Sequence, residues 1–410
     1  MPASADALVI GAGPAGAASA IWLAKAGWRV VLVEQQRYPR QKVCGECIAA
    51  GNFALLDELG IGAAVRLRAG PPLRRVAWMS GAASILADLP ACSAGPDAFG
   101  RALGRDQLDQ LLLQRAAALG VTLLQPARVR AVRGGAAHYE CEIQSLDADS
   151  AQTLHASVVI DAHGSWEAAP KLTAEGERDE GRLARRGSDL FGFKASFQGA
   201  ALAPGVLPVL AIQGGYGGIV LAEAGRTTLA CCIRRDTLRE CRALLPGAAA
   251  GEAVERYLRR ASHGIRDALA GARRDGAWLA VGPLRPGMRT ASTSGVFRVG
   301  NAAAESHPLI GEGISMALRS ATLLARTLTQ QPAALIDAQR ARALQQAYGA
   351  ACRAEFSRRL RFAAAFAHLA MQPALAATTG SLLRRWPSLL TTAARMAGKA
   401  RGAVLHPEFS

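Results

Sequence analysis

Three small groups of residues have the types and spacing to do chemistry. Gly11-Ala12-Gly13-Pro14-Ala15-Gly16 follows an apolar run, residues 7–10, and opens a helical one, residues 17–26, that stops at Gly27; residues 30–33 are apolar again and end on Glu34. Strand, glycine turn, helix, strand and acid is the order that a dinucleotide requires. Gly11 permits the tight turn, Gly13 lets the backbone approach a pyrophosphate, and Gly16 lets the helix lie on the strand. Pro14 and Ala15 begin the helix, whose amino-terminal N–H groups and dipole face the phosphates. Glu34, 18 residues after Gly16, is placed for the ribose hydroxyls, and a carboxylate there favours FAD or NAD over NADP.

Cys44-Gly45-Glu46-Cys47 is the second group, a CxxC that could exchange electrons as a dithiol. A zinc site would need a second pair, which the sequence lacks, and no metal site is expected. Nor does a second strand and glycine turn follow to bring NADPH to a dithiol. Cys47 therefore reads as a helix residue and Cys44, on the loop before it, as a pocket residue. Tyr216 and His307 form the third group. Tyr216 precedes Gly217-Gly218, a pair expected to leave open space for a bulky or flat substrate, and its phenol can bond a substrate hydroxyl or close a strand. His307 stands before Pro308 at a glycine-rich helix start, where an imidazole can move a proton or bond the loop backbone. Catalytic roles stay unassigned among Cys44, Tyr216 and His307.

Periodicity supplies the elements that hold these groups. A helix is expected over residues 47–59, strands over 74–89 with a turn at Gly81, and a strongly periodic helix from Arg105 to Leu119. Strands follow at 121–124 and 127–132, a hairpin at 139–143 and 153–156, and a buried strand at 157–160. From about residue 190 to 233, short apolar runs alternate with glycine-rich turns, as in an antiparallel sheet. A buried strand at 296–299 leads through Gly311, Glu312 and Gly313 into a long helix, 314–328, and the chain is helical from Pro332 on.

The 410 residues are 50% apolar, enough for a globular chain with a large core, and the net charge of +16 is carried almost wholly by arginine. A basic chain favours anionic partners. Aromatics are only 5% and no basic run is interleaved with them, so no nucleic-acid partner is expected. The eight cysteines have no framework spacing, and no charged-then-apolar leader precedes residue 7, so a cytoplasmic location is expected. Residues 362–383 carry no formal charge, about the length of a membrane span, but are mainly alanine and contain Pro373. From Arg353 to Arg401 there are nine basic residues against one acid, Glu355. Helices there either pack on the protein with a solvated arginine face or rest on the inner face of a membrane.

Four separated stretches resemble the FAD-dependent oxidoreductases of the p-hydroxybenzoate hydroxylase-like superfamily, which includes flavin monooxygenases, flavin halogenases and geranylgeranyl reductases. They are the glycine turn with Glu34; Arg105 with Leu108, Leu111 and Leu112; Val159-Ile160-Asp161-Ala162-His163-Gly164; and Val299-Gly300-Asn301-Ala302-Ala303 through Pro308-Leu309-Ile310-Gly311-Glu312-Gly313-Ile314. The resemblance implies FAD, with Arg105 beside its pyrophosphate, Asn301 at a ribityl hydroxyl, and Gly311, Gly313 and Ile314 at the flavin ring. A glycine-rich helix start also suits the negative charge that reduced flavin carries. Arg40, Lys42, Cys44, Gly45 and Val129 complete the set expected at the cofactor. His163 and Asn301 stand where the family has acids. Residues 39–46 are similar to the reductase branch, whereas the halogenase Trp-x-Trp-x-Ile-Pro motif is absent.

The expected fold is α/β. A Rossmann-type FAD-binding domain (residues 1–75, 100–187 and 285–330) holds an inserted antiparallel β-sheet substrate domain (76–99 and 188–284), followed by a C-terminal helical region (331–410). The leading functional expectation is an NAD(P)H-dependent monooxygenase that hydroxylates an apolar aromatic or polyketide-like molecule of secondary metabolism. The alternatives are a geranylgeranyl-reductase-like enzyme acting on isoprenoid or lipid C=C bonds, and a catalytically idle flavin-binding protein.

Overall fold

The strand Ser4–Ile10 sits inside an eight-stranded sheet, paired in parallel with Val30–Val33 on one side and Ala151–Asp161 on the other. The computed structural model describes residues 2–135, 137–148, 150–165, 171–172, 186–289 and 295–396. Helix Pro14–Lys25 crosses back over the sheet and is buried from Pro14 to Leu23, because alanines let it lie close against its neighbours. The helices Arg105–Ala118 and Gly313–Leu328 pack on it.

Ala151–Asp161 reads as two segments in the sequence and is one strand in the structure. Its first half alternates exposed and buried residues and pairs antiparallel with His138–Ser145; its second half is continuously buried and pairs parallel with Ser4–Ile10. The change from alternating to solid burial is what parallel pairing inside a covered sheet requires.

The second sheet has seven strands, in the order Arg273–Leu284, Leu190–Gln198, Thr227–Arg234, Gly215–Leu221, Val206–Ile212, Arg75–Ser80 and Ala83–Asp88. It is antiparallel except where Val206–Ile212 runs parallel to Arg75–Ser80. One face buries Phe193, Phe197 and Ile219 beneath Ala250–Ala261 and His263–Ala268. The opposite face carries Trp78, Tyr216 and Cys232 and meets residues of the C-terminal helices, including Ala367, Leu383 and Leu390.

Those helices are Ala338–Met371, Pro373–Arg385 and Ser388–Met396. Asp337 caps the first by accepting from Arg340 N, at 2.8 Å. Gln372, before Pro373, is extended and ends it. The uncharged stretch 362–383 is therefore broken in two, and no helix among the described residues is long and apolar enough to cross a membrane.

One expected helix is corrected. Residues 47–59 do not form a single helix: Cys47–Ile48 is a short strand paired with Arg101–Ala102, and the helix begins at Phe53. Leu103 N donates to Glu46 O at 3.1 Å and sets Cys47 opposite Ala102 in register, so Cys47 is a strand residue.

Candidate active site

At the nucleotide end, sterics fix the backbone. Gly11 has φ +97°, and a Cβ there would lie 2.6 Å from Ala162 O; one on Gly16 would lie 1.9 Å from Gly11 O. Helix Pro14–Lys25 has no side-chain cap, so its first N–H groups stay open to an anion. Glu34 is buried and accepts from Ala12 N (2.9 Å) and Gln36 N (2.8 Å), with Arg40 at 3.3 Å from its Oε1. Arg105, also buried, is held by Asp109 at 2.8 and 2.7 Å, and its Nη2 is 3.6 Å from where Gly13 would carry a Cβ. Arg105 thus faces the open side of the glycine turn. Lys42 Nζ lies 3.7 Å from the corresponding point on Gly164. The Val129 side chain is buried in the core under the strand Ala127–Gly135, which leaves its backbone as what it can offer a ligand.

The second glycine region comes to meet the first. Gly300, φ +60°, approaches Ala15 so closely that a Cβ would stand 2.7 Å from that of Ala15. Ser320 Oγ accepts from Gly300 N at 2.9 Å. Asn301 follows, its carbonyl accepting from Arg289 Nη1 at 2.8 Å. Gly311 is left-handed (φ +63°), and helix Gly313–Leu328 starts without a side-chain cap. The Ile314 side chain is buried in the core. Glu312 is buried: its Oε2 accepts from Arg359 Nη1 of the long C-terminal helix at 3.0 Å, while Oε1 has no hydrogen-bond partner among the described residues.

A Cβ on Gly45 or Gly313 would meet nothing within 4 Å, and one on Gly13 would meet only Arg105. Open glycines at these points, with two uncapped helix starts, form a cradle that fits the phosphates and flavin ring of FAD. The Glu34 carboxylate fits its ribose.

Beyond the cradle lies an apolar chamber of about 1180 Å³ counted out to its mouth. Cys44, Gly45, Pro308 and Gly311 form its inner end, Trp78, Tyr216 and Cys231 its sheet wall, and Phe362, Phe366 and Leu390 its helical wall. Two of the three catalytic candidates, Cys44 and Tyr216, line the chamber, and His307 reaches it through Tyr216, whose OH lies 3.0 Å from His307 Nδ1. Burial pushes the Tyr216 phenol well above its ordinary value and holds the His307 imidazole below its own. Burial also raises the neighbouring Cys232 thiol to about 12, so it stays protonated. Cys44 and Cys47 are free thiols; Cys47 Sγ donates to Gly45 O at 3.4 Å, and Cys44 Sγ accepts from Glu46 N at 3.3 Å.

Gly217 and Gly218 line the chamber but do not clear space as expected. A Cβ on Gly217 would lie 2.7 Å from Ala230 O and from Cys231 Cβ, and one on Gly218 3.1 Å from Pro208 O. These glycines let neighbouring strands close up. His163, where the family has an acid, pairs through Nδ1 with the buried carboxylate of Asp161.

Behind Cys44 and Gly45 lies a buried polar knot that no local sequence pattern announces. Glu46, left-handed at φ 59° and fully buried, pairs with fully buried Lys194 and accepts from Thr228 Oγ1 (2.5 Å) and Arg105 N (3.1 Å). Beside it, Arg226 donates to Asp106 at 2.9 Å. The knot ties the loop before Cys47 and the start of Arg105–Ala118 to the second sheet. Lys194, one of only five lysines and set within Leu190-Phe191-Gly192-Phe193-Lys194-Ala195-Ser196-Phe197, was the available signal.

The FAD binding domain family matches residues 4–183. A curated menaquinone reductase from Mycobacterium tuberculosis is 36% identical over 132 residues, 32% of this chain and 31% of that protein, so the match spans about a third of the relative's length. Among solved structures, the myxobacterial chondrochloren halogenase superposes with a TM-score of 0.76 at 21% identity, covering 100% of this chain and 93% of the halogenase. A geranylgeranyl bacteriochlorophyll reductase-like protein from Thermoplasma acidophilum gives a TM-score of 0.69 at 16% identity, covering 99% and 94%. At these identities the structural likeness is one of fold. Residues 4–183 thus carry the match to the FAD binding domain family, and the chain as a whole shares the fold of these solved structures.

Proposed function

We propose that this FAD-dependent oxidoreductase reduces C=C bonds of an apolar, isoprenoid-type lipid, with NAD(P)H as the electron donor. The observation that carries the reading is the chamber. It runs from the flavin cradle between the sheet and the C-terminal helices, and apolar side chains dominate its lining. Such a space takes up a long hydrocarbon by burial alone and offers little to orient a polar molecule. The sequence similarity to a menaquinone reductase supports the reading. Open space at Gly217 and Gly218 would favour hydroxylation of a flat substrate, and close strand approach takes its place.

Reduced flavin, when bound, supplies a hydride to one carbon of the double bond. The other carbon needs a proton, which in this reading Tyr216 gives: it lines the chamber, burial keeps its phenol protonated, and His307 Nδ1, 3.0 Å away, relays a replacement proton to the tyrosyl oxygen. The pair's net loss is one proton, replaced from solvent, and NAD(P)H is oxidised as C=C becomes CH–CH. Gly45, where a Cβ would meet nothing within 4 Å, and Gly311 line the chamber's inner end and would leave room there for the flavin ring.

Hydroxylation is the second reading, favoured by the same pair, since His307 could take the proton of a substrate phenol through Tyr216. Mass spectrometry of the product separates the two. Incubation with NAD(P)H and a polyprenyl substrate such as menaquinone should give products heavier by two hydrogens per bond. Incorporation of labelled oxygen with every double bond intact would overturn the reductase reading.

A further inference from the structure

The last two helices are apolar on both sides. Leu383 and Leu390 are buried against the second sheet, and Leu390, Ala393 and Ala394 line the chamber. On the outer side, Leu382 (46% exposed), Trp386 (51%), Leu389 (40%) and Met396 (61%) face solvent, and Leu86 on the adjoining edge strand Ala83–Asp88 is 43% exposed. A helix pair with apolar outer residues at such spacing meets a second apolar phase. Exposed Arg384, Arg385 and Arg395 accompany them, with the Arg385 guanidinium 5.5 Å from the Trp386 ring centroid. No acid occurs in the sequence from residue 356 to 396. The exposed acid of the neighbouring strand, Asp88, stands opposite Arg75 in register.

We propose that this outer face of Pro373–Arg385 and Ser388–Met396 is where the protein rests on an anionic lipid surface. Its apolar residues lie at the level of the acyl chains and its arginines at the headgroups. Charge complementarity selects the partner: a basic face with an interfacial tryptophan fits negatively charged lipid. Ser388–Met396 is at once a wall of the chamber and part of the docking face, so a lipid substrate passes from bilayer to chamber along one helix. That last step rests on the reductase reading; the docking itself does not.

The full chain, loaded with FAD, is sedimented with vesicles of phosphatidylcholine alone or mixed with phosphatidylglycerol, with no substrate present. Binding is expected to the anionic vesicles, weakening as salt rises. Arg384→Gln with Arg385→Gln should weaken it about thirty-fold. Trp386→Ser with Leu389→Ser should abolish it while FAD content and thermal unfolding stay as in the parent chain. Failure of the parent chain to bind anionic vesicles, or equal binding by both variants, would overturn the proposal. So would a self-associated protein that the Trp386/Leu389 variant turns monomeric, because the face would then belong to a second copy. Vesicle binding without C=C reduction would sink only the functional reading, and C=C reduction in detergent without vesicle binding only the docking.

Discussion

At the glycine turn, a Cβ on Gly16 would stand 1.9 Å from Gly11 O and one on Gly11 2.6 Å from Ala162 O. Across the molecule, the chamber takes Trp78, Tyr216, Leu309, Phe366 and Leu390 from five separate stretches, and each of these side chains has apolar alternatives of similar volume. The turn is local and dictated by backbone contact; the chamber is assembled from distant residues and dictated by volume. A ligand common to many proteins can be held by the first kind of site, whereas the second kind sets what each protein acts on.

The sharpest attempt to break this contrast is Gly16→Val. The added side chain meets Gly11 backbone that cannot move without dislodging helix Pro14–Lys25 from the sheet, so the protein should lose all FAD and fail to fold. Retention of flavin, read from absorbance after gel filtration, would show that the turn tolerates what the geometry forbids.

Next in size is Lys194→Met, which leaves Glu46 buried and unpaired behind the chamber's inner loop. Urea unfolding should register a loss of about 3–5 kcal/mol, the usual consequence of removing one partner of a buried ion pair. A loss under about 1 kcal/mol would mean that Thr228 and the Arg105 amide satisfy the carboxylate by themselves.

Tyr216→Phe should keep flavin content and thermal stability close to the parent's and lower kcat roughly a hundred-fold with little change in KM. Its partner gives a pH signature. Burial lowers the His307 pKa below the ordinary imidazole value of about 6.5. The unfolded chain therefore takes up this proton first, and the stability tied to neutral His307 is present above that value and declines as pH falls below it. The acid limb of the kcat profile should lie below pH 6.5 and disappear in His307→Gln. The smallest effect is expected of Cys47→Ser, whose turnover should stay within about two-fold, since the thiol bonds Gly45 O and a hydroxyl does the same. A collapse in turnover would revive a dithiol.

The glycine turn was legible because each requirement falls within thirty residues. Gly11, Gly16 and Glu34 hold their spacing whatever the rest of the chain does. The change in Ala151–Asp161 from alternating to continuous burial was visible as two patterns but not as one strand, because strand partners are not written locally. Residues 47–59 misled for the opposite reason: an apolar, alanine-rich run satisfies a helix pattern, yet pairing with Arg101–Ala102 takes its first two residues. Tyr216 and His307 were each singled out alone, but their meeting depends on how Gly215–Leu221 and the turn before Gly313 are brought together over a gap of ninety-one residues. Glu46 and Lys194 are farther apart still, and only a lysine inside an apolar strand hinted at the knot.

The central claim is that the chamber presents a hydrocarbon double bond to the bound flavin. It is tested most directly by photoreducing the holoprotein without oxygen and adding the polyprenyl substrate while following the flavin spectrum. The account predicts reoxidation that saturates with substrate and slows about a hundred-fold in Tyr216→Phe. A reduced spectrum that persists with substrate and is discharged only when oxygen is admitted would contradict it.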